Sequence, residues 1–504
     1  MLDAFVDGLL LVLQGKPFFY MLIGIAIGFW VGILPGLGGG VTIALMMPFI
    51  YKMTPQEALP FLLGMHSVCQ TTGDITSVLF GIPGEGTTVA TIIDGYPMAQ
   101  KGEAGRALGA ALMSSLVGAV VGALLLALSI PVVRPLVLAL GSPEMFMVII
   151  LGLTCISSLS GRGKRGLLLG LLAGGCGMLF SLVGQDLQAG VLRFTFGQLY
   201  LWQGLSIPPV VIGLFAIPVI IDLMVKGTAI AGDVSYGKLG KGAMEGILDT
   251  FRHFWLTVRC SLIGSGIGIL PGLGGGVAQW LAYSHAAQSA RTIEEQDGFG
   301  KGDVRGVLGP GASNNAKEGG GLIPTVAFGI PGSSGMAILM GAFLMLGLVP
   351  GPDMLTKHLT LTFSLVWTIV IANIIVVAAS LFFINKIAKL TTIRGNLLIP
   401  FILLLIFLGA YSSHSHYGDL IVTLLFGGLG YFMERFGWPR PPLVLGFILG
   451  SIAEDYLYIS CLRYGADWLY RPKVIIIFFF AVAVALYPFI QRKRLMRKEQ
   501  ANEI

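Results

Sequence analysis

The sequence predicts an all-α polytopic membrane protein built from two inverted-topology repeats, with broken helices and re-entrant hairpins. Three observations lead there. Of 504 residues, 55% are hydrophobic and only 12% charged, about half the roughly 25% charge of a soluble domain. Mean hydropathy is +0.83. A ten-residue motif occurs twice at matching places in the two halves, Gly32 to Val41 and Gly268 to Val277. Such a composition cannot supply a charged skin, which excludes an ordinary cytosolic enzyme, a nucleic-acid binder and a disordered chain.

Glycine is abundant, with 72 residues, about twice the usual roughly 7%. In a membrane this means close helix contact or deliberate breaks. The net charge of +6 reads as loop charge. Five cysteines lie far apart in or beside apolar stretches, with neither metal spacing nor a disulfide framework. The start Met1-Leu2-Asp3 has no basic region, so no cleavable signal peptide is expected.

A crossing helix needs about 20 apolar residues. Segments 105–130, 136–159, 166–184, 205–225, 359–385, 396–411, 417–433, 441–461 and 474–490 meet this pattern. Segments 18–50 and 254–287 are apolar but broken by Pro and Gly. Segments 60–100 and 313–350 read as paired short arms around a Gly-Pro turn. Basic residues favour cytoplasmic loops. With the tail 491–504 placed inside, the inner loops carry 19 Lys/Arg and the outer loops 6. The C-terminus is therefore expected in the cytoplasm.

The repeat extends beyond its first motif. Phe80 to Gly84 recurs as Phe328 to Gly332, and Pro208 to Gly213 resembles Pro441 to Gly446. Loops 101–106 and 162–165 fall inside, while their counterparts 350–358 and 412–418 fall outside. Each half thus has an odd number of crossings and the halves are inverted. The expected organisation is an N-terminal segment 1–17, a first repeat 18–226, a cytoplasmic linker 227–252, a second repeat 253–462, and an extra span with a basic tail over 463–504. Inverted repeats with matching broken helices signal secondary transporters with a midplane site.

The Leu-Pro-Gly-Leu-Gly-Gly-Gly runs at 34–40 and 270–276 cannot stay regular helix. Their freed N–H groups and helix ends suit an anion, which points to Pro35, Gly36, Gly38, Gly39, Gly40, Gly272, Gly274, Gly275 and Gly276. The bland reading, a kink or tight packing point, weakens because the run occurs in both halves. A nucleotide loop fails for want of a Walker lysine. The two Gly-Ile-Pro-Gly turns read as hairpin tips. Gly84, Thr87 and Thr88 follow one, and Gly332, Ser333 and Ser334 the other, all suited to a carboxylate.

Polar residues inside apolar stretches are functional suspects. Thr72 and Asp74 precede the first tip; Asn314, Asn315 and Glu318 precede the second. Hard oxygens of this kind suit a bare monovalent cation. Helical spacing puts Asn314, Lys317 and Glu318 on one face, although a structural Lys317-Glu318 pair at the membrane surface explains those two equally well. His414-Ser415-His416 lacks a third ligand, so no transition metal and no cofactor is expected. No nucleophile elbow appears, and no clustered acid/base set, so the chain is not read as an enzyme.

At Gly32 to Gly40, Gly73-Asp74-Ile75-Thr76-Ser77, Gly81 to Gly84, Asp94-Gly95-Tyr96-Pro97, Asn314 to Gly320, Leu322-Ile323-Pro324 and Gly329 to Gly332, the chain resembles the large membrane subunit of the tripartite tricarboxylate transporters, the TctA family. The resemblance covers about residues 18 to 460. It implies a bacterial inner-membrane importer driven by an ion gradient, taking carboxylates such as citrate. It also implies a small membrane subunit and a periplasmic solute-binding protein as partners. Lys317-Glu318 departs from the small residues of many members, which puts citrate itself in doubt. The expected coupling ion is sodium ahead of a proton, since Asp74 and Glu318 could serve either. An elevator movement, and the dimer that such scaffolds commonly form, enter by analogy. A self-sufficient carrier or exporter without a binding protein stands as the alternative.

Overall fold

A computed structural model describes residues 1–34, 38–85, 87–159, 163–186, 190–226, 239–271, 274–290, 292–386, 399–412 and 415–485. The first half opens with α1 (Leu2–Leu13), α2 (Gly15–Ile33) and α3 (Gly39–Met46). The run after Ile33 ends α2, and Gly38, with φ of +47°, turns the chain into α3. Then come α4 (Pro55–Phe80), α5 (Val89–Met98), α6 (Ala104–Leu138), α7 (Ser142–Leu159), α8 (Gly163–Ser181) and α9 (Ile207–Lys226).

The start of α4 is set by a capping box between Thr54 and Glu57, with Pro55 in its first turn. This arrangement satisfies two donors that the helix cannot. Its end is set by Gly81, whose φ of +65° is left-handed, a conformation that glycine adopts without steric cost.

The second half has α10 (Leu239–Arg252), α11 (Phe254–Ile269), α12 (Gly274–Gln288), a short α13 (Ile293–Asp297), α14 (Arg305–Phe328), α15 (Ser334–Met345), α16 (Leu359–Phe382), α17 (Ile399–Ser412), α18 (Tyr417–Arg435) and α19 (Arg440–Tyr464). A final apolar helix, α20, covers Pro472–Ala485. Gly329, with φ of +67°, ends α14 as Gly81 ends α4. Strand content among the described residues is one two-residue antiparallel pair, Gly184–Gln185 with Leu192–Arg193.

This is an all-α, multi-pass membrane protein. Among the described residues, four helical stretches are long and apolar enough to cross a bilayer: Gly15–Ile33, Val89–Leu138, Leu359–Phe382 and Arg440–Tyr464. Outward faces carry large apolar side chains, among them Leu124, Leu128, Val132, Leu425 and Phe382, where a soluble protein would carry charge.

Packing partners recur between the halves. α2 packs on α4 as α11 packs on α14; α6 on α14 as α16 on α4; α1 on α16 as α10 on α6; α8 on α19 as α18 on α9. Small residues make the closest contacts. Gly28 and Gly32 of α2 lie against Met65 and Cys69 of α4, and Gly264 and Gly268 of α11 lie against Ser313 and Lys317 of α14.

One expected segment gains a helix here, and one expectation changes. Residues 239–252 of the expected linker form α10, whose Asp249 takes a 2.6 Å hydrogen bond from Arg106 Nε of α6; residues 227–238 lie outside the described residues. The first arms of the two hairpins are not short either. α4 has 26 residues and α14 has 24, while the second arms α5 and α15 have 10 and 12.

Candidate functional site

Both long hairpin arms are buried along almost their whole length, polar residues included. Such burial is costly unless the groups pair with one another. At their centre they do. Asn314 donates from Nδ2 to the Gln70 carbonyl at 3.0 Å. Lys317 Nζ donates to Gln70 Oε1 at 2.9 Å and to Asn314 Oδ1 at 3.1 Å. The Thr87 hydroxyl of the first tip lies 3.3 Å from each of those two oxygens. Glu318 Oε2 meets His66 Nε2 at 3.0 Å, and its Oε1 lies 3.5 Å from Lys317 Nζ.

The breaks and tips close around this cluster. Glu85 of the first tip accepts from the Gly39 N–H at 3.3 Å. A Cβ at Gly39 or at Gly335 would enter the His66 ring, and one at Gly275 would meet Lys317 and Thr87. A Cβ at Gly40 would come to 3.6 Å from the Gly335 Cα. At Gly39, Gly275 and Gly335 neighbouring side chains come closer than a Cβ permits, whereas Gly40 has room for one. The first break therefore touches both tips, and the second break touches the first.

Several predicted residues are thus brought together: Gly38, Gly39, Gly40, Thr87, Gly275, Asn314 and Glu318. Pro35, Gly36 and Gly272 lie outside the described residues. Gly274 begins α12, Gly276 has open space around it, and Gly84 and Gly332 pack on backbone, at Gly73 and at Gly268 and Gly321. Thr88 Oγ1 takes a 2.8 Å bond from Ser77. Ser333 caps α15 by accepting from Met336 N, and Ser334 is exposed.

The expected cation set is dispersed. The Thr72 hydroxyl bonds back to the Val68 carbonyl at 2.9 Å and sits against Gly32. Asp74 accepts from Thr91 at 2.9 Å. Asn315 turns away from Asn314 into a separate network on α16. It donates to Asn373 Oδ1 and to Thr71 Oγ1, each at 2.6 Å, while Asn373 Nδ2 donates to Ser67 Oγ at 2.6 Å. Lys317 and Glu318 are no surface pair, being 5% and 2% exposed.

The sequence reading passed over His66, Ser67 and Asn373 as site residues, while Gln70 stood among the polar suspects before the first tip. His66 and Asn373 carried the available signal, since each is a polar side chain within an apolar helix. Asp94 of α5 fixes the rim by accepting from Gly302 N at 2.7 Å, Asp303 N at 3.0 Å and Tyr283 OH at 2.9 Å.

The model of the tripartite tricarboxylate transporter TctA family matches residues 18–445, which span the breaks, both hairpins and the crossing arms. The chain belongs to the TctA family. It is 33% identical over 482 residues, 94% of this chain and 93% of the relative, to an uncharacterized 52.8 kDa protein in the TAR-I ttuC' 3' region of Agrobacterium vitis. It is 35% identical over 194 residues, 38% of this chain and 79% of the relative, to an uncharacterized protein in the TAR-II ttuC' 3' region of the same organism. No solved structure matches the chain. TctA proteins are transporters rather than enzymes, and membrane transport is the general role here.

Proposed function

We propose that this TctA-family chain is the permease subunit of a cation-gradient-driven, binding-protein-dependent importer of carboxylates of the tricarboxylate or citrate-like class. It works in the bacterial inner membrane with a small membrane subunit and a periplasmic solute-binding protein. One observation carries the reading. Two Gly-rich breaks and a hairpin tip from each half meet at a buried polar cluster containing the ammonium of Lys317. Backbone N–H groups at helix starts, hydroxyls and one buried cation are the chemistry that recognises a carboxylate.

The recurring packing supports two inverted repeats, with the hairpins and broken helices moving against α7 to α9 and α17 to α19 in an elevator-like way. The polar atoms around the cluster support ion coupling. Among the described residues, Asp74 Oδ2, Glu85 Oε2 and Asn315 Oδ1 are buried with no hydrogen-bond partner. The test is uptake of radiolabelled citrate, succinate and benzoate into proteoliposomes holding the chain with its small subunit and binding protein, under an inward sodium gradient and then under a proton gradient alone. Binding-protein-dependent uptake in either gradient is expected. Uptake by the chain alone would establish the self-sufficient carrier instead, and no uptake of any carboxylate would overturn the substrate class.

A further inference from the structure

Glu318 occupies an unusual position inside the cluster. Its two oxygens face two different basic groups, Lys317 Nζ at 3.5 Å and His66 Nε2 at 3.0 Å. All three side chains are at most 5% exposed. We propose that this shared carboxylate is the proton-coupling device of the carrier: a proton taken up by His66 releases Lys317 to bind a carboxylate of the substrate. The proposal rests on the carboxylate-permease reading above.

The geometry of His66 gives the proton a place to bind. With Nε2 engaged by Glu318, Nδ1 is buried and has no partner among the described residues. That edge of the ring lies against Gly39 of the first break, and the other side of the ring lies against Gly335 of the second tip. Other ionisable groups near it are few. Among the described residues they are Lys317, Glu85, which accepts from Gly39 N–H through Oε1 and leaves Oε2 without a partner, Cys69 on α4 itself, turned to the Gly28 carbonyl, and Asp74, which accepts from Thr91 through Oδ1. At their contacts with the ring, α3 and α15 present glycines.

Lys317 has the complementary property. Its amide partners, Gln70 Oε1 and Asn314 Oδ1, are dipoles that also face Thr87. They orient the ammonium without cancelling its charge. Glu318 is its one ion-pair partner within 4 Å among the described residues. In a medium where water cannot compensate, a lysine and a carboxylate hold each other until a competing charge arrives.

The step then balances in charge. One proton binds His66 Nδ1 and makes an imidazolium that neutralises Glu318 through Nε2–H. Lys317 is left uncompensated and one substrate carboxylate takes its place beside the α12 start and Thr87. On the other side the proton leaves Nδ1, Glu318 again neutralises Lys317, and the substrate is displaced. One proton enters with one carboxylate, and no covalent bond other than N–H changes.

The duplication shows why there is one such device. At the 248-residue offset of the hairpins, His66 and Gln70 correspond to Asn314 and Glu318. The matching contacts are His66 with Glu318 and Asn314 with the Gln70 backbone. One pair can carry a proton and the other cannot.

The experiment uses the complete system in proteoliposomes, first sodium-free and then with an inward sodium gradient alone, the same three probes, and a pH-sensitive dye in the lumen. With a one-unit inward proton gradient, one-to-one symport of a proton with a monocarboxylate accumulates benzoate about tenfold and acidifies the lumen, at a rate read above that of protein-free liposomes, which admit the neutral acid passively. His66→Gln is expected to lose accumulation, with residual substrate-for-substrate exchange that no longer varies between about pH 5 and 8. Glu318→Gln decides the matter if that variant fails to insert. Lys317→Met is expected to lose both accumulation and exchange. Accumulation driven by sodium alone, with no lumen acidification and a wild-type pH profile in His66→Gln, would overturn the coupling device and leave the permease reading standing. If no probe is taken up in any gradient, both fall.

Discussion

Replacing Asn373 with leucine tests the polar crossing of the two halves. The two side chains have the same branching and number of heavy atoms, so shape is kept and four hydrogen bonds are lost. Asn373 accepts from Thr71 at 2.7 Å and from Asn315 at 2.6 Å, and donates to Ser67 Oγ at 2.6 Å and to the Ile369 carbonyl at 2.8 Å. Not every partner is stranded. Thr71 retains a 3.4 Å route to the Ser67 carbonyl and Asn315 retains Thr71, while Ile369 O keeps its helical role. About one buried donor goes unmet, costing roughly 1–3 kcal/mol. Hydrogen bonds measured inside membrane proteins average nearer about 0.6 kcal/mol, because their unfolded state also finds partners. The two figures together give about 1–2 kcal/mol. Thermal unfolding of the purified protein in detergent should show this as a lower midpoint. The double variant Asn373→Leu/Asn315→Leu should cost less than the sum of the single ones, because it removes the stranded amide. Strictly additive losses, or no loss in Asn373→Leu, would refute the claim that these side chains act as one network.

Other outcomes follow from the same packing. Gly84→Ala puts a Cβ 2.6 Å from Gly73 backbone; an overpacking cost of about 1–3 kcal/mol should lower uptake at least fivefold at normal membrane abundance. Gly266→Ala is its control, since Gly266 is exposed with nothing within 4 Å, and helix propensity predicts unchanged uptake with slightly greater stability. Asp94→Asn should speed amide hydrogen exchange at Gly302 and Asp303 about tenfold, as charge-assisted bonds weaken by roughly 1.4 kcal/mol; unchanged exchange would remove Asp94 as the rim lock. Arg193→Ala breaks a two-pronged pair with Glu454 at 2.7 and 3.0 Å; both side chains are about 30% exposed, so a loss under about 1 kcal/mol that fades in high salt is expected.

Much of this arrangement is legible in the sequence. The repeated Gly-rich run located both breaks because proline and clustered glycine leave a helix nowhere to go. The Gly-Ile-Pro-Gly turns located both hairpin ends, at Gly81 and Gly329. Which polar residues would meet was far less readable. Neighbouring positions on a helix diverge by about 100°, so Asn314 and Asn315 joined different networks, and Thr72 turned to α2 while Asp74 turned to Thr91. His66 meets a residue 252 positions away, a pairing that no local spacing encodes. The α10 helix was legible but passed over: Leu239, Ala243, Met244, Ile247, Leu248 and Phe251 recur at helical spacing in a run too short to cross a bilayer, and its docking on α6 depends on Gly105, Gly109 and Gly246 allowing backbone contact.

The network at Asn373 also sets a timetable for synthesis. Thr71 finds its partner 302 residues later in the chain. At roughly 5–20 residues per second of translation, that partner emerges about 15–60 seconds after Thr71 does. During this interval the first half sits in the membrane with the Ser67 and Thr71 hydroxyls satisfied only by their own helix. Truncation before α16 should leave the half-protein in that state, cut by added protease faster than the finished chain.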